Sequence, residues 1–249
     1  MRQNVLGCDV DNFDMEETLQ RIDQFIASGR PHQHVVINAD KVVRAHRDAS
    51  LRNVINRCDL INADGMPVVW AAWLLGSPLK GRVTGVDLFF RLLERAEQRG
   101  WRIYFLGARE DVVSKLVSVM QVRHPGLAIA GYRNGYWTPS EEAGVAKAIG
   151  EARADILFVA ISSPKKEEFL ATYQNMMRIP FAMGVGGTFD VATGLVRRAP
   201  VWMQNSGLEW FYRFLQEPRR MFRRYFIEDM YFFWLLVKAL LRRPLRASS

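Results

Sequence analysis

Short apolar runs alternate with helix-length segments along most of the chain. From residue 102 onward, apolar runs at 102–106, 127–130, 155–160 and 181–185 are separated by segments that predict helices at 110–122, 139–152 and 165–177. Strands that alternate with helices of roughly 10–15 residues are typical of βαβ units and a parallel sheet. We therefore expect an α/β fold, a Rossmann-like parallel sheet with helices on both faces.

The N-terminal part of the chain extends this pattern. A short strand and its turn are predicted at 4–11, and Asp14 with Glu17 forms a capping box that predicts a helix to about residue 27. Apolar runs at 34–37 and 60–61 then precede predicted helices at 41–56 and 66–75. Because no long linker interrupts the pattern, we expect residues 1–200 to form the α/β domain.

The C-terminal part has a different composition. Residues 201–249 are predicted to form a helical appendage, with a helix at 201–216, a boundary at Glu217-Pro218 and a second helix at 219–241. Residues 218–249 carry a net +6 of the chain's +8, and their cations are mixed with Phe, Trp and Tyr. This mixture favours an anionic membrane surface over nucleic acid as the partner. The alternative is that residues 230–237 pack as ordinary core on the domain, or on a second subunit of a homo-oligomer.

Overall composition narrows the class of protein. An apolar content of 49% is ample for a core and argues against global disorder. The longest uninterrupted apolar run, 230–237, is far shorter than the ~20 residues that span a bilayer, and no secretory signal is recognised. Cys8 and Cys58 have neither framework nor metal spacing, which suits a reducing cytosol.

Polar side chains follow two of the apolar runs. Asn38 and Asp40 come after the run at 34–37, and Asp64 comes after the run at 60–61. In an open α/β sheet, ligands bind outside the carboxyl ends of the strands, so we expect these side chains at one edge. Asp64 could instead be only the N-cap of helix 66–75. Arg82 brings a cation to a second loop soon after, which favours a site.

A second candidate segment begins the predicted helix at 165–177. Pro164, Lys165 and Lys166 place two cations at a helix N-terminus, which is a good position for a diphosphate. The alternative is a solvated lysine pair. Tyr136 is expected on a loop at the same edge of the sheet, where it could stack on a uracil or pack on its own helix.

A glycine-rich segment follows the run at 181–185. Gly186 and Gly187, with Thr188 and Asp190 beside them, could cradle a phosphate and a ribose with backbone N–H groups. They could equally mark the close approach of another strand. The dinucleotide fingerprint is not matched, because Phe189 occupies the third glycine position and no clear helix is predicted there.

A metal site is not expected. Asp9 and Asp11 have the Asp-x-Asp form that holds a divalent cation in many nucleotide-sugar enzymes, but they precede a helix start and follow no long strand. We interpret them as turn and cap residues. The four histidines have no ligand spacing.

Several blocks of the sequence resemble one family. Asn-Ala-Asp-Gly-Met at 62–66 and Arg-Val-Thr-Gly-Val-Asp at 82–87 resemble the WecG/TagA/CpsF family of bacterial glycosyltransferases, glycosyltransferase family 26. The resemblance continues in order through Asn-Gly-Tyr at 134–136, Ser-Pro-Lys-Lys-Glu at 163–167, Gly-Val-Gly-Gly-Thr-Phe-Asp at 184–190, Arg-Ala-Pro at 198–200, Gly-Leu-Glu-Trp at 207–210 and Glu-Pro-Arg-Arg at 217–220. Each block is weak alone, but their order over roughly residues 1–225 is specific.

The resemblance implies an inverting glycosyltransferase that needs no metal or other cofactor. It would move a sugar from a UDP-sugar donor to a polyprenyl-diphosphate-linked saccharide, in bacterial cell-surface or exopolysaccharide biosynthesis. The donors of the family include N-acetylmannosamine, its uronic acid and glucose, and the sequence does not choose among them. The protein would work as a peripheral protein on the cytoplasmic face of the plasma membrane.

The resemblance also implies roles for the candidate residues. Asp64 would be the general base, with Arg82 as a catalytic cation. Three arginines, Arg213, Arg220 and Arg223, would close over the diphosphate. Donor binding would fall to Asn38, Asp40, Tyr136, Pro164, Lys165, Lys166, Gly186, Gly187, Thr188 and Asp190. The chain departs from the family pattern at Ile37, where many members have Thr, and at Lys166, where Gln is common.

Two other classes of function are weighed. A nucleotide-dependent oxidoreductase, or a nucleotide-binding module on a doubly wound sheet, would need the missing Gly-x-Gly-x-x-Gly and has no use for a basic, aromatic tail. A non-catalytic membrane adaptor would make Asp64 dispensable.

Overall fold

A computed structural model describes residues 2–218, 222 and 229–242. Its strands are β1 (Arg2–Val5), β2 (Cys8–Asp11), β3 (His32–Ile37), β4 (Leu60–Ala63), β5 (Arg102–Gly107), β6 (Ala128–Arg133), β7 (Ile156–Ala160) and β8 (Phe181–Gly184). Its α-helices are α1 (Met15–Ser28), α2 (Ala39–Arg47), α3 (Ala49–Arg57), α4 (Met66–Leu74), α5 (Gly85–Arg99), α6 (Glu110–Arg123), α7 (Glu142–Glu151), α8 (Lys165–Met177), α9 (Thr188–Ala192), α10 (Val201–Asn205), α11 (Glu209–Gln216) and α12 (Asp229–Leu241). A 3₁₀ turn at Pro139–Glu141 precedes α7.

The predicted parallel sheet is confirmed. Six strands pair in the order β4-β3-β8-β7-β5-β6, and every pair in this sheet is parallel. The other two strands, β1 and β2, form a separate antiparallel hairpin. All six carboxyl ends therefore lie at one edge of the sheet, which we call the carboxyl edge, and the amino ends lie at the other, the amino edge.

Helices cover both faces of the sheet because successive strand residues point to opposite sides. Phe105 and Phe158 face one layer, where they pack with residues of α1, α5, α6 and α9. Leu106 and Val159, the next residue in each strand, face the other layer and pack with α7 and α8. The same layer continues over β3 and β4 with α2, α3, α4, the β1–β2 hairpin and α12.

The predicted helix at 41–56 is wrong in one respect, because it is two helices. Asp48 adopts an extended conformation between α2 and α3, with φ −123° and ψ 105°. Its carboxylate accepts hydrogen bonds from the backbone N–H groups of Ser50 and Leu51, so it caps α3. The predicted strand and turn at 4–11 likewise form a two-stranded hairpin.

The structure differs from the predictions at three further helices. The predicted helix at 201–216 is broken into α10 and α11 around Gly207, whose φ of +73° favours glycine. A helix does begin after Gly187, contrary to prediction, and its Phe189 is fully buried in the aromatic core. Helix α5 was not predicted. Thr84 caps it by accepting the backbone N–H of Asp87, so the Thr-x-x-Asp capping signal could have found it.

The last described helix, α12, packs on the domain through one face. Phe232 and Leu236 are buried with residues of α2 and α4, whereas Phe233 and Trp234 are exposed. The alternative that 230–237 packs as core is thus confirmed for one face. The rest of the predicted helix at 219–241, apart from residue 222, lies outside the described residues. Within the described part, no helix is long and apolar enough to cross a bilayer. The domain boundary at residue 200 stays a prediction.

Candidate active site

Two predicted site residues lie side by side at the carboxyl edge. In the ladder of β3 and β4, Ile37 is paired with Ala63, so Asn38 and Asp64 each follow the last residue of adjacent strands. The backbone N–H of Asp64 donates to the Ile37 carbonyl at 2.8 Å, which continues the ladder. Asn38 Oδ1 accepts the backbone N–H of Lys41 at 3.0 Å and so caps α2.

The Asp64 carboxylate is attached to α5 rather than to α4. Its Oδ1 accepts the backbone N–H of Gly85, the first residue of α5, at 2.9 Å. The N-cap of α4 is Gly65, which offers no side-chain cap. The alternative that Asp64 is the cap of α4 is therefore wrong. A hydrogen bond from a fixed backbone amide holds this half-buried carboxylate in one orientation at the carboxyl edge.

Arg82 joins the sheet to the C-terminal segment. Its guanidinium donates to the Gln204 carbonyl at 2.6 Å and lies 3.4 Å from Glu209 Oε2. Glu209 Oε1 is 3.5 Å from Arg198 Nε, and Arg198 Nη1 is 2.5 Å from Asp87 Oδ1. Two arginines and two carboxylates thus alternate across the segments at 81–87 and 198–209.

This network determines the ionisation of Asp87. Burial alone would raise the pKa of its carboxyl, but hydrogen bonds from Arg198 and Thr84 outweigh burial and hold the pKa below its usual range. The network was not predicted as part of the site, although Asp87, Arg198 and Glu209 all fall in the family-like blocks. Only the fold brings Arg82 and Asp87 to Glu209 and Arg198, which lie more than a hundred positions away in the sequence.

Lys166 lies in the interior instead of facing the open edge. It is buried, its Nζ is 3.7 Å from Glu167 Oε1, and Lys41 Nζ is 2.8 Å from the same oxygen. The aliphatic part of Lys166 covers Gly184, where a Cβ atom would lie 2.5 Å from Lys166 Cε. Gly184 is therefore needed for the close approach of this lysine.

The buried charges shift each other's protonation. Burial, followed by repulsion from Lys41, lowers the pKa of Lys166 to about 8. Burial would raise the pKa of Glu167, but attraction to the two lysines lowers it to about 2. The charge of Asp64 also favours protonated Lys166, so the lysine and the carboxylate influence each other electrostatically. The predicted contact of Lys166 with a diphosphate stays a prediction, and its present partners are carboxylates.

Lys165 and Tyr136 lie at the same edge, on the loops that follow β7 and β6. Lys165 is the first residue of α8, and its Nζ is 4.2 Å from the centroid of the Trp137 ring. Pro164 precedes it without providing a side-chain cap, so the first N–H groups of α8 have no capping side chain. The Tyr136 ring is 68% exposed, which argues against packing on its own helix and leaves its face open to a ligand.

The glycine-rich segment meets Arg213 from α11. A Cβ atom on Gly187 would lie 3.0 Å from Arg213 Nη2 and 3.7 Å from Asp190 Oδ2, so both side chains reach this loop. Gly186 has φ +55°. Thr188 is buried, and its hydroxyl donates to the Val185 carbonyl at 2.6 Å, so it braces the loop.

Three predicted residues contribute less, or cannot be placed. Asp40 lies in the first turn of α2, where its carboxylate pairs with Arg44 at 2.9 Å. Arg220 and Arg223 lie outside the described residues, so their closure over a diphosphate stays a prediction.

Asp9 and Asp11 lie away from the carboxyl edge. Asp9 accepts from the Asn4 side chain at 2.8 Å, and Asp11 accepts the backbone N–H of Ile61 at 2.9 Å.

A separate cavity of about 430 Å³ lies beside the start of β4, towards the amino edge, and holds none of the candidate site residues. Arg2 and Asp11 line it and are already paired with each other. Within the described ranges, no group of three or more His, Cys, Asp or Glu side chains is arranged to hold a metal ion. The carboxyl edge is thus the better candidate for the functional site.

The sequence is similar to known proteins over most of its length. Residues 3–246 match the family model of the Glycosyl transferase WecG/TagA/CpsF family. A curated protein of Bacillus spizizenii, named N-acetylglucosaminyldiphosphoundecaprenol N-acetyl-beta-D-mannosaminyltransferase, is 37% identical over 75% of this chain and 72% of its own length. A protein of the same name from Bacillus subtilis is 36% identical over 74% of this chain and 71% of its own length. With nearly the whole chain matched, this protein belongs to the WecG/TagA/CpsF family of glycosyl transferases.

Proposed function

We propose that this protein transfers a sugar from a UDP-sugar to a polyprenyl-diphosphate-linked saccharide, with inversion at the anomeric carbon. The names of the two Bacillus relatives support an N-acetylglucosaminyl-diphospho-lipid as acceptor and N-acetylmannosamine as the transferred sugar. They favour N-acetylmannosamine over the uronic acid and glucose alternatives. The structural observation that carries the proposal is the Asp64 carboxylate, held by Gly85 N–H at the carboxyl edge beside Asn38.

In this mechanism a single displacement takes place at the anomeric carbon, where one bond forms as another breaks. The acceptor hydroxyl oxygen attacks the anomeric carbon while the bond from that carbon to the donor phosphate oxygen breaks, and UDP leaves with the electron pair. Asp64 takes the proton of the acceptor hydroxyl. A base suited to this step must be oriented before the substrate arrives, and the amide of Gly85 supplies that orientation.

The leaving diphosphate needs positive charge. Arg213 reaches the Gly187 loop, and Lys165 stands at the N-terminus of α8, so both can approach a diphosphate lying across the edge between β7 and β8. Arg82 is already engaged by Gln204 and Glu209. In our proposal it stabilises the leaving group through rearrangement of that network when the donor binds. Tyr136 offers its exposed face to the uracil.

The exposed aromatic side chains of α12, with Lys238 beside one of them, fit a peripheral membrane protein, and we propose that it works on the cytoplasmic face of the plasma membrane. Lys238 lies 4.6 Å from the centroid of the Trp234 ring, a pairing that suits a lipid headgroup region. Such a location would bring the soluble donor and a lipid-anchored acceptor to one site.

A donor screen tests the proposal directly. The full-length protein is incubated with UDP-N-acetylmannosamine, its uronic acid analogue or UDP-glucose, together with a short-chain polyprenyl-diphosphate N-acetylglucosamine. We expect transfer from UDP-N-acetylmannosamine, and linkage analysis of the product should give the anomeric configuration opposite to that of the donor. Retention of configuration would contradict the single displacement. Absence of transfer with all three donors, together with heat protection by NAD but not by UDP, would favour the oxidoreductase alternative.

A further inference from the structure

One exposed helix face next to Asp64 has no role in the chemistry proposed above. Helix α4 has the sequence Met-Pro-Val-Val-Trp-Ala-Ala-Trp-Leu and carries no charged side chain. Val68, Ala71 and Ala72 are buried in the layer formed with the β1–β2 hairpin and α2. On the opposite face, Trp70 is 47% exposed and Trp73 is 67% exposed. A helix that is apolar all round is normally buried on every side, so this face requires an explanation.

The tryptophan face, Trp70 and Trp73, borders the candidate site. Helix α4 starts two residues after Asp64, so its position is tied to the catalytic edge. A Cβ atom on Gly207 would lie 3.9 Å from Trp70 Cζ2, which places the loop between α10 and α11 against this face. On α10, Trp202 is 62% exposed. Exposed tryptophans thus occur on α4 and on α10, the helix just before the loop that contacts α4, and clustered exposed apolar residues of this kind mark interaction surfaces.

Helix α12 continues the same arrangement. Its Phe232 belongs to the same core cluster as Val68 and Ala72 of α4, and α12 packs against α2. The outer face of α12 exposes Trp234, which is paired with Lys238. Tryptophan rings with neighbouring cations are typical of the zone between lipid headgroups and acyl chains, because the indole has an apolar body and one N–H donor.

We propose that the tryptophan face of α4 contacts the membrane and thereby holds the opening of the active site at the bilayer surface. This inference rests on the proposed function, in which the acceptor is anchored in the membrane by its lipid and presents its diphosphate at headgroup level. A contact on the helix that follows Asp64 would hold the general base at that level. The tail alone could attach the protein to the membrane without orienting the site.

Vesicle flotation of the full-length protein tests the contact. The probe is vesicles of phosphatidylcholine, with and without phosphatidylglycerol, at low and at high salt. Trp73→Ser should weaken binding by roughly fivefold, since about half or more of a large apolar side chain would leave the lipid. The same loss should appear at both salt concentrations, because salt screens cations but not apolar contacts. Val122→Ser, at a site 80% exposed on α6, is the matched control and should float like the wild type.

Transfer assays separate a membrane contact from a role in the site. Trp73→Ser should lower transfer to an acceptor embedded in vesicles and leave transfer to a short-chain, water-soluble acceptor unchanged. Brominated acyl chains should quench less of the tryptophan fluorescence of Trp73→Ser than of the wild type. If the wild type transfers no sugar to either acceptor, the proposed function fails, while flotation and quenching still decide the membrane contact.

Three results would overturn the inference. Unchanged flotation and quenching of Trp73→Ser would remove the contact. A change of oligomeric state in light scattering, with flotation unchanged, would assign the face to a second copy of the chain. An equal loss of transfer to both acceptors, with unchanged flotation, would assign it to acceptor binding or to local stability.

Discussion

The two edges of the sheet place aspartates in different local settings. At the amino edge, carboxylates hold the starts of strands: Asp59 Oδ2 accepts the backbone N–H of Gln33 at 2.9 Å, and Asp155 Oδ2 accepts that of Arg102 at 2.8 Å. At the carboxyl edge, Asp64 accepts a hydrogen bond from the start of α5, in a loop rather than in a strand. An aspartate beside a strand is therefore a structural brace or a candidate catalytic group according to which end of the strand it occupies.

The edges also differ in the charge that they bury. Lys166 and Lys41 share one carboxylate, Glu167, under the carboxyl edge, and burial lowers the pKa of Lys166. Two buried cations that share one carboxylate carry a desolvation cost, so stability alone does not account for this arrangement. At the amino edge, the aspartates pair with backbone amides and partly exposed side chains, which is a less costly arrangement.

The largest effect is expected from Asp64→Asn. The amide oxygen can still accept the N–H of Gly85, so fold and UDP affinity should be retained, while transfer should fall by roughly 10²-fold or more because no base takes the acceptor proton. The measurement is kcat under saturating substrates, with UDP binding by calorimetry. Asp40→Asn removes the alternative candidate for the base, whose carboxylate pairs with Arg44, and should lose less. A wild-type rate in Asp64→Asn would assign the base to another residue, with Asp40 the next candidate.

The second effect concerns Lys166 and pH. The pKa of Lys166 in the folded protein is about 8, below the ordinary value of 10.5. As pH rises, the folded protein therefore releases this proton at a lower pH than the unfolded protein does. The cost of the buried charge is fully present below pH 8 and is relieved as pH rises towards 10.5. Between these limits, the wild type should gain about 1–3 kcal/mol of unfolding free energy relative to Lys166→Met.

Urea unfolding at pH 7.5 and at pH 10 measures this gain as a difference between the two proteins. Lys115→Met, an exposed lysine on α6, is the control and should keep the wild-type change with pH. If Lys166→Met and the wild type change in parallel over this range, the ammonium is solvated in solution and the buried cluster is incorrect.

Asp64 and Lys166 also show how much of the structure could be predicted from the sequence. The position of Asp64 followed from a short apolar run and a helix start, both of which are local patterns. The strands of the second half were predicted for the same reason, and the Asp14–Glu17 capping box is present. The burial of Lys166 was not predictable, because its neighbour Lys41 lies 126 residues from Glu167 and local polarity suggests exposure. Gly207, at the break between α10 and α11, lies close to Met66, and this contact could not be predicted because the two residues are distant in sequence.

The third effect is a loss of stability from a substitution at the amino edge. Asp59→Asn keeps an acceptor for the N–H of Gln33 but loses the charge that faces His32, whose Nδ1 is 3.1 Å from Asp59 Oδ1. We expect a loss of about 1 kcal/mol in unfolding free energy and an unchanged kcat. Asp155→Asn, at the start of the neighbouring part of the sheet, should behave in the same way. A large loss of kcat in Asp59→Asn without a loss of stability would contradict the division between the edges.

The smallest effect is expected from removal of divalent metal: excess EDTA should leave the rate of transfer unchanged. The residues with the form of a metal-binding pair are already engaged. Asp9 accepts from Asn4, and Asp11 holds Arg2 at 3.2 Å and the start of β4, away from Asp64. Arginine and lysine at the carboxyl edge can neutralise the leaving diphosphate instead.

The release of UDP should be followed directly by chromatography, because a coupled assay could contain a metal-dependent enzyme. Asp11→Asn serves as the matched variant: it should lower stability through the loss of its contact with Arg2, and its rate should be equally insensitive to EDTA. Activity that is lost in EDTA and restored by Mn²⁺ or Mg²⁺ would contradict the prediction. If Asp11→Asn also abolished the restoration, the Asp9–Asp11 pair would be the metal site, and the proposed location of catalysis at the carboxyl edge would be wrong.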